Sequence, residues 1–330
     1  MDWSFIISTT LLAAFGIEAI VFGLAAIGLN LQFGYTGLLN FGQSAFLAVA
    51  AYSLAVLVSQ MGFSFWVGIL VGIIAAILLA LLLGIPTLRL RADYLAIVTI
   101  AAAEIVRLLL RSVTFKEWFG GSDGINDFSR GFYELNPFPI GRYTLGPVSL
   151  SQDQLLIIVV GWTLVGLALL VTWLLVRSPW GRVLKGIRED EDAVRSLGKN
   201  VYLYKMQALI IGGVLGCLGG FVYALGRQAV NPDFFGTDST FFAYAILILG
   251  GAARVFGPVL GAIIFWTVIQ GSDVILRSLI DAGVPVFSLM TASQAAVIRF
   301  ILVGAGLMIL MIYRPQGILG DRKELALDAR

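Results

Sequence analysis

The residues able to do chemistry are few, and their scarcity is informative. The chain contains no histidine and a single cysteine, Cys217. Histidine-based metal sites and triads are therefore excluded, as is an intramolecular disulfide. Two acids fall within otherwise apolar stretches, Glu18 and Glu104. Arg107 follows Glu104 by three residues, which puts the two on one face of a helix. An ionisable group in a membrane segment is costly and marks a functional hypothesis, but this spacing equally fits a structural or gating ion pair. A second polar group comprises Asn40, Gly42, Gln43 and Ser44, beside Gly34 and Gly37. Amide side chains and glycine-broken backbone at such a place suit a solute pathway, because irregular backbone at membrane depth survives only in protein or along a cavity. The competing explanation is a helix start capped by Asn40 and packed by glycines. The third group is a charged loop, 178–204, considered below.

The elements that must position these groups are apolar. Of 330 residues, 59% are hydrophobic and only 13% charged. Soluble domains carry about twice that share of charge. A water-soluble enzyme and a disordered chain are both excluded. The net charge of +2 gives no support to nucleic-acid binding. No Asp, Glu, Lys or Arg occurs between Glu18 and Arg89, enough for about three crossings at about 20 residues each. The runs are continuous rather than alternating, so they read as helices and not as barrel strands.

The pattern predicts an all-α polytopic membrane protein with about eight to ten helices. The expected helices are 5–29, 41–60, 66–86, 93–113, 153–177, 205–226, 240–253, 257–272 and 295–313. The pair at 240–253 and 257–272 is short and reads as a hairpin about Gly250-Gly251. Segment 30–40 reads as a re-entrant piece or an extra crossing. Asp2 stands where a secretory signal would be basic, so the first apolar segment is expected to be retained. The whole of 1–330 is treated as one domain.

Basic residues set the orientation. Arg89 and Arg91, the cluster from Arg177 to Lys205, Arg254, and the tail from Arg314 to Arg330 are expected in the cytoplasm. Loop 114–152 then faces outward and 314–330 is a cytoplasmic tail. Within 178–204, Val183, Leu184 and Ile187 form an apolar helical stripe that Ala193, Val194 and Leu197 continue, and Gly198 suits a helix terminator. Such a stripe buries either in the membrane interface or in a groove on a partner.

Glu191-Asp192-Ala193, followed by Gly198, resembles the EAA loop of ABC importer permeases. The wider stretch from Gly181-Arg182 to Lys205 is similar to the permeases of branched-chain amino acid ABC importers. So are Leu88 to Thr99 with Glu104 to Arg107, Gly120 to Ile125, Gly34 to Gln43, and Leu249 to Ala262. These segments lie in order over about residues 30 to 315, and they fit the LivM-type branch better than the LivH-type. Asp192 departs from the family's Glu-Ala-Ala pattern.

The resemblance implies a non-catalytic permease of a bacterial inner membrane. It implies three kinds of neighbour besides the lipid bilayer: a second, LivH-type permease, two cytoplasmic ATPase subunits and an external solute-binding protein. Glu191, Asp192, Ala193, Leu197 and Gly198 would contact the ATPase. The chain lacks Gly-x-x-x-x-Gly-Lys-Ser/Thr, so it cannot cradle ATP phosphates itself; no cofactor is expected on this chain, and ATP with magnesium is expected on the partner ATPase subunits. The implied solutes are Leu, Ile and Val. Related permeases carry urea or short amides, and an ion-coupled secondary transporter and an intramembrane enzyme are the competing classes. The loop around Gly121-Ser122-Asp123-Gly124 reads either as a contact for the binding protein or as an ordinary turn.

Overall fold

The computed structural model describes residues 3–88, 92–282 and 292–320. The basic residues Arg89, Arg91, Arg322, Lys323 and Arg330 lie outside them. The fold is all-helical apart from two small sheets. Its helices are α1 (Trp3–Phe15), α2 (Ile17–Leu29), α3 (Gln43–Ser59), α4 (Phe65–Thr87), α5 (Ala92–Arg111), α6 (Gln152–Arg177), α7 (Pro179–Glu189), α8 (Glu191–Ser196), α9 (Val201–Arg227), α10 (Thr237–Gly250), α11 (Gly257–Asp281) and α12 (Ala292–Tyr313). Among the described residues, five spans are long and apolar enough to cross a membrane: 3–34, 65–87, 152–177, 201–227 and 257–281. Shorter apolar helices occupy 43–59, 237–250 and 297–313.

The packed centre is α2, α3 and α9. Almost every residue of α2 is buried, which its charge-free sequence permits. Backbones there touch through glycine. A Cβ on Gly28 would lie 2.2 Å from the Gly212 carbonyl oxygen, so only glycine allows α2 to cross α9 at this distance.

Three expectations are corrected. The single helix 5–29 is broken at Gly16, which is extended (ψ −167°). Glu18 therefore sits in the first turn of α2, and it pairs with Arg227 at the end of α9. Helix 257–272 runs on to Asp281, because Asp273 is neutralised by Arg277 at 2.9 Å on the same helix and by Arg299 of α12 at 3.5 Å. Segment 30–40 is not a further crossing. It continues α2 as a π-turn over Asn30–Gly34, then turns at Gly37 (φ +74°) into α3.

Loop 114–152 holds several short helical turns and a hairpin of β2 (Arg142–Leu145) with β3 (Val148–Ser151), while β1 (Ile125–Asn126) pairs with β4 (Ala229–Val230) after α9. Gly120, Gly121 and Gly124 all have positive φ, and a Cβ on Gly124 would meet the Val230 carbonyl at 2.1 Å. The Gly121–Gly124 segment is thus a tight turn seated on the strand that follows α9.

Candidate functional site

Two regions carry the predicted residues, one at each end of the bundle. The first is the α7–α8 loop. Ser178 accepts the Gly181 N–H and Pro179 fills the first helical position, which fixes the start of α7. The expected continuous stripe is split in two. Asp190 leaves the helical conformation, and its carboxylate accepts the N–H groups of Asp192 and Ala193, both at 2.9 Å. This cap ends α7 and starts α8.

The stripe is buried by the chain itself. Leu184 is 0% exposed, and Ile187 and Val194 are buried with it. Val183 is half-buried and Ala193 exposed, and Leu197 stands out at 79% exposed at the tip of α8. Gly198 follows with φ +76° and open space around it. Glu191 accepts from Lys205 of α9 and from Arg195, which also bridges to Asp192 at 2.8 Å. A small pocket separates the loop from turn 36–38, lined by Thr36, Gly37, Ile187, Arg188, Glu191 and Lys205 among others.

Arg188 reaches across that gap. Its Nη1 donates to the Gly34 carbonyl at 2.6 Å, at the end of the π-turn. Beyond it lies the buried polar group. Asn40, Gly42, Gln43 and Ser44 are all buried and form one joint. The Asn40 amide donates to Gln32 Oε1 at 2.8 Å and to Gln43 Oε1 at 3.3 Å. Gln32 donates to the Leu209 carbonyl of α9, and Gln43 to the Ala25 carbonyl of α2. Asn40 Oδ1 accepts the Gly42 N–H, and the Asn40 carbonyl accepts Tyr244 Oη of α10. The Phe41 N–H donates to Thr99 of α5, and the Ser44 N–H to Thr240 of α10. Ser44 Oγ has no hydrogen-bond partner among the described residues.

Asn30 was not singled out by sequence, yet it is fully buried. It accepts the Ala253 N–H at 2.8 Å and donates to the Arg254 carbonyl at 2.7 Å. It thereby holds the α10–α11 turn, where Ala253 has φ +57°. The backbone after α12 pairs with the same turn, Ile318 N–H to the Leu249 carbonyl and Leu319 N–H to the Gly250 carbonyl. An asparagine two residues before a glutamine, in an apolar run, was the available signal for Asn30 and Gln32.

The second region lies at the other end of α5. Glu104 and Arg107 do pair, with Nε at 2.9 Å from Oε2. The sequence missed their partner. Asp233, in the turn Pro232–Phe235, accepts from Arg107 at 2.9 Å and faces Arg111 at 3.2 Å.

A bundle of long apolar helices with buried amide joints and a capped loop between two spans defines an integral, multi-pass membrane protein. The family described as "Branched-chain amino acid transport system / permease component" matches residues 11–312, and the chain belongs to it. It is 33% identical over 329 residues to the high-affinity branched-chain amino acid transport system permease protein LivM of Escherichia coli, covering 96% of this chain and 72% of that one. The probable LivM of Methanocaldococcus jannaschii is 25% identical, over 93% of this chain and 92% of that protein. A more distant relative is the nucleoside ABC transporter permease protein NupC of Lactococcus lactis, 27% identical over 67% of each chain. The chain is accordingly a LivM-type ABC importer permease, a multi-pass protein of the inner membrane that works as one subunit of a larger system.

Proposed function

We propose that this permease carries branched-chain amino acids inward by alternating access, driven by ATPase subunits that dock on the tip of α8. Leu197 carries the proposal. It is an apolar side chain 79% exposed on a loop where Leu184, Ile187 and Val194 are buried in the chain. A capped, rigid loop presenting one such residue suits a groove on a partner. Glu191, Asp192, Ala193 and Gly198 would frame that contact, with Gly198 closing the helix so that Leu197 stands clear.

The loop is wired to the centre of the bundle. Arg188 links it to Gly34, and Gly34 leads directly into the Asn40–Gln43 joint that gathers α2, α5, α9 and α10 around the start of α3. Movement of α7 and α8 would pull on this joint. Opening it would bare Asn40, Gly42, Gln43 and Ser44 to a solute, with Ser44 Oγ already lacking a partner. Glu104 and Arg107 would close the opposite end. Differential binding of the ATPase dimer to two arrangements of the loop would drive the exchange.

In this scheme the chain performs no bond chemistry. ATP and magnesium sit on the two cytoplasmic ATPase subunits, a LivH-type permease completes the pathway, and a solute-binding protein delivers solute from outside, at loop 114–152. The names of the LivM relatives support leucine, isoleucine or valine over urea or a short amide.

Co-purification tests the docking. The tagged chain, expressed with its neighbouring genes, is expected to retain an ATPase subunit, and Leu197→Asp to lose it with an unchanged melting temperature. Gly198→Asp serves as the second variant. Retention in both variants, or solute movement by the purified chain alone along an ion gradient, would overturn the proposal.

A further inference from the structure

The break at Gly16 leaves a cavity at the end of the bundle that carries loop 114–152. A Cβ on Gly16 would lie 2.1 Å from the Leu12 carbonyl oxygen, so glycine is what lets α1 end and α2 begin in this way. Beyond the break α1 packs on α11 and α2, and α6 packs on α2. Between them remains a space of about 270 Å³, lined by Leu12, Ile17, Glu18, Ile158, Arg227 and Gln270 among others and bordered by Leu150 of β3. That volume lies near the lower limit for a ligand site, about 300 Å³, and suits a small polar group.

The surroundings of the cavity belong to a membrane interface. Leu11, Phe15 and Val159, each next to a lining residue, are exposed at 38%, 47% and 45%. Trp162 of α6 donates from Nε1 to the Phe15 carbonyl at 2.8 Å, with the two rings 6.1 Å apart. Tryptophan gathers at the headgroup level of a bilayer, where its ring is apolar and its N–H is polar. The charged part of the lining is one ion pair, and neither member is used up by the other. Arg227 binds Glu18 Oε1 through Nη2 alone, and its side chain is 54% exposed. Glu18 Oε2 is buried and has no hydrogen-bond partner among the described residues. A buried carboxylate oxygen without a donor is costly, so it points to a donor that the chain does not itself supply.

We propose that this cavity holds the headgroup of a phospholipid bearing a primary amine. The ammonium would donate to the Glu18 carboxylate, the phosphate would accept from the remaining N–H groups of Arg227, and the acyl chains would lie along Leu11, Phe15 and Val159. The Glu18–Arg227 pair has no net charge, which suits a zwitterionic headgroup. An anionic headgroup without an amine would set its charge against Glu18, and a choline headgroup has no N–H to give. The bound lipid would fill the space between α1 and α6 and complete the ion pair at its floor. The site does not depend on which solute is carried.

Native mass spectrometry of the purified full-length chain tests the site. The chain is offered phosphatidylethanolamine, phosphatidylcholine and phosphatidylglycerol in equal amounts and with the same acyl chains. The first lipid retained is expected to be phosphatidylethanolamine, preferred about tenfold over either competitor, as one charge-assisted hydrogen bond allows. Glu18→Gln keeps the size of the side chain and removes its charge, whereas Ala13→Phe fills the cavity, which Ala13 also lines, and leaves the ion pair in place. Each is expected to reduce the preference to about twofold or less. The two variants act by different routes, and a melting curve shows which are folded, so either folded variant decides. Equal retention of the three lipids by wild type, or an undiminished preference in a folded variant, overturns the site. Displacement of the lipid by excess free leucine would assign the cavity to an amino acid and overturn it as well.

Discussion

The two ends of this bundle are held by different kinds of bond. At the α7–α8 end most cross-links are side chains bonded to backbone groups inside the protein: Asn30 to residues 253–254, Gln32 to Leu209, Gln43 to Ala25, Arg188 to Gly34, with the Glu191–Lys205 ion pair beside them. At the other end they are half-exposed ion pairs: Glu18 with Arg227, Arg107 and Arg111 with Asp233, Lys116 with Asp123. The difference sets what each end can do. A buried amide left unpaired costs about 1–3 kcal/mol, so such a joint moves as a unit or not at all. An exposed ion pair is worth about 0–1 kcal/mol and its members find water when it parts. One end is built to transmit a displacement, the other to open at small cost.

The largest effect is expected from Asn30→Ala. It removes the acceptor for the Ala253 N–H and the donor to the Arg254 carbonyl at a residue that is 0% exposed. The Ala253 N–H loses its acceptor while the Arg254 carbonyl keeps only its bond from the Gly257 N–H, for an expected loss of about 1–3 kcal/mol. A melting curve in detergent reads this as a large drop, with Asn30→Asp, which keeps only the acceptor, in between. A drop no larger than that of an exposed control substitution would erase the contrast between the ends.

Arg227→Gln probes the opposite end. Glu18 loses its partner, but Arg227 is 54% exposed and water replaces it. The expected loss is below about 1 kcal/mol and shrinks with added salt. The same curve, run at low and high salt, checks both points. A loss as large as that of Asn30→Ala would mean that this end is locked as firmly as the other.

The sequence made much of the frame legible and little of its joinery. Charge-free runs located helices 66–86, 153–177 and 205–226 to within a few residues, because lipid tolerates only long apolar helices and the limits coincide with charges or caps. The same reasoning failed at Gly16, since glycine is ordinary in membrane helices and its extended ψ depends on packing. It also ended a helix at Ser272, treating Asp273 as a boundary when α12 supplies the compensating Arg299. The site behaved likewise. Glu104 and Arg107 were visible as a pair three residues apart, but Asp233 is far away in the chain. Asn40 and Gln43 stood out as amides, while Asn30 and Gln32 drew no notice because their partners are backbone groups of distant helices. Local spacing reports neighbours on one helix, and nothing in it encodes which helix lies opposite.

The smallest effect, and the sharpest in sign, belongs to Asp123. It faces Lys116 at 2.8 Å on the surface of loop 114–152. The hydrogen bond from Lys116, and then its charge, hold the Asp123 carboxyl below its ordinary value of 3.8. A carboxylate with a lowered folded-state pKa contributes stability that is fully present above the ordinary value. That contribution is lost as pH falls through the lowered value, where folded and unfolded loops are both protonated. Asp123→Asn is therefore expected to speed amide exchange in residues 116–124 at neutral pH and to match wild type in strong acid. Hydrogen exchange across a pH series reads the difference directly. Because both groups are exposed, the neutral-pH difference should also fade in high salt. A difference that persisted in acid would mean that the turn is held by its three left-handed glycines alone, and that this ion pair contributes nothing to the end that opens.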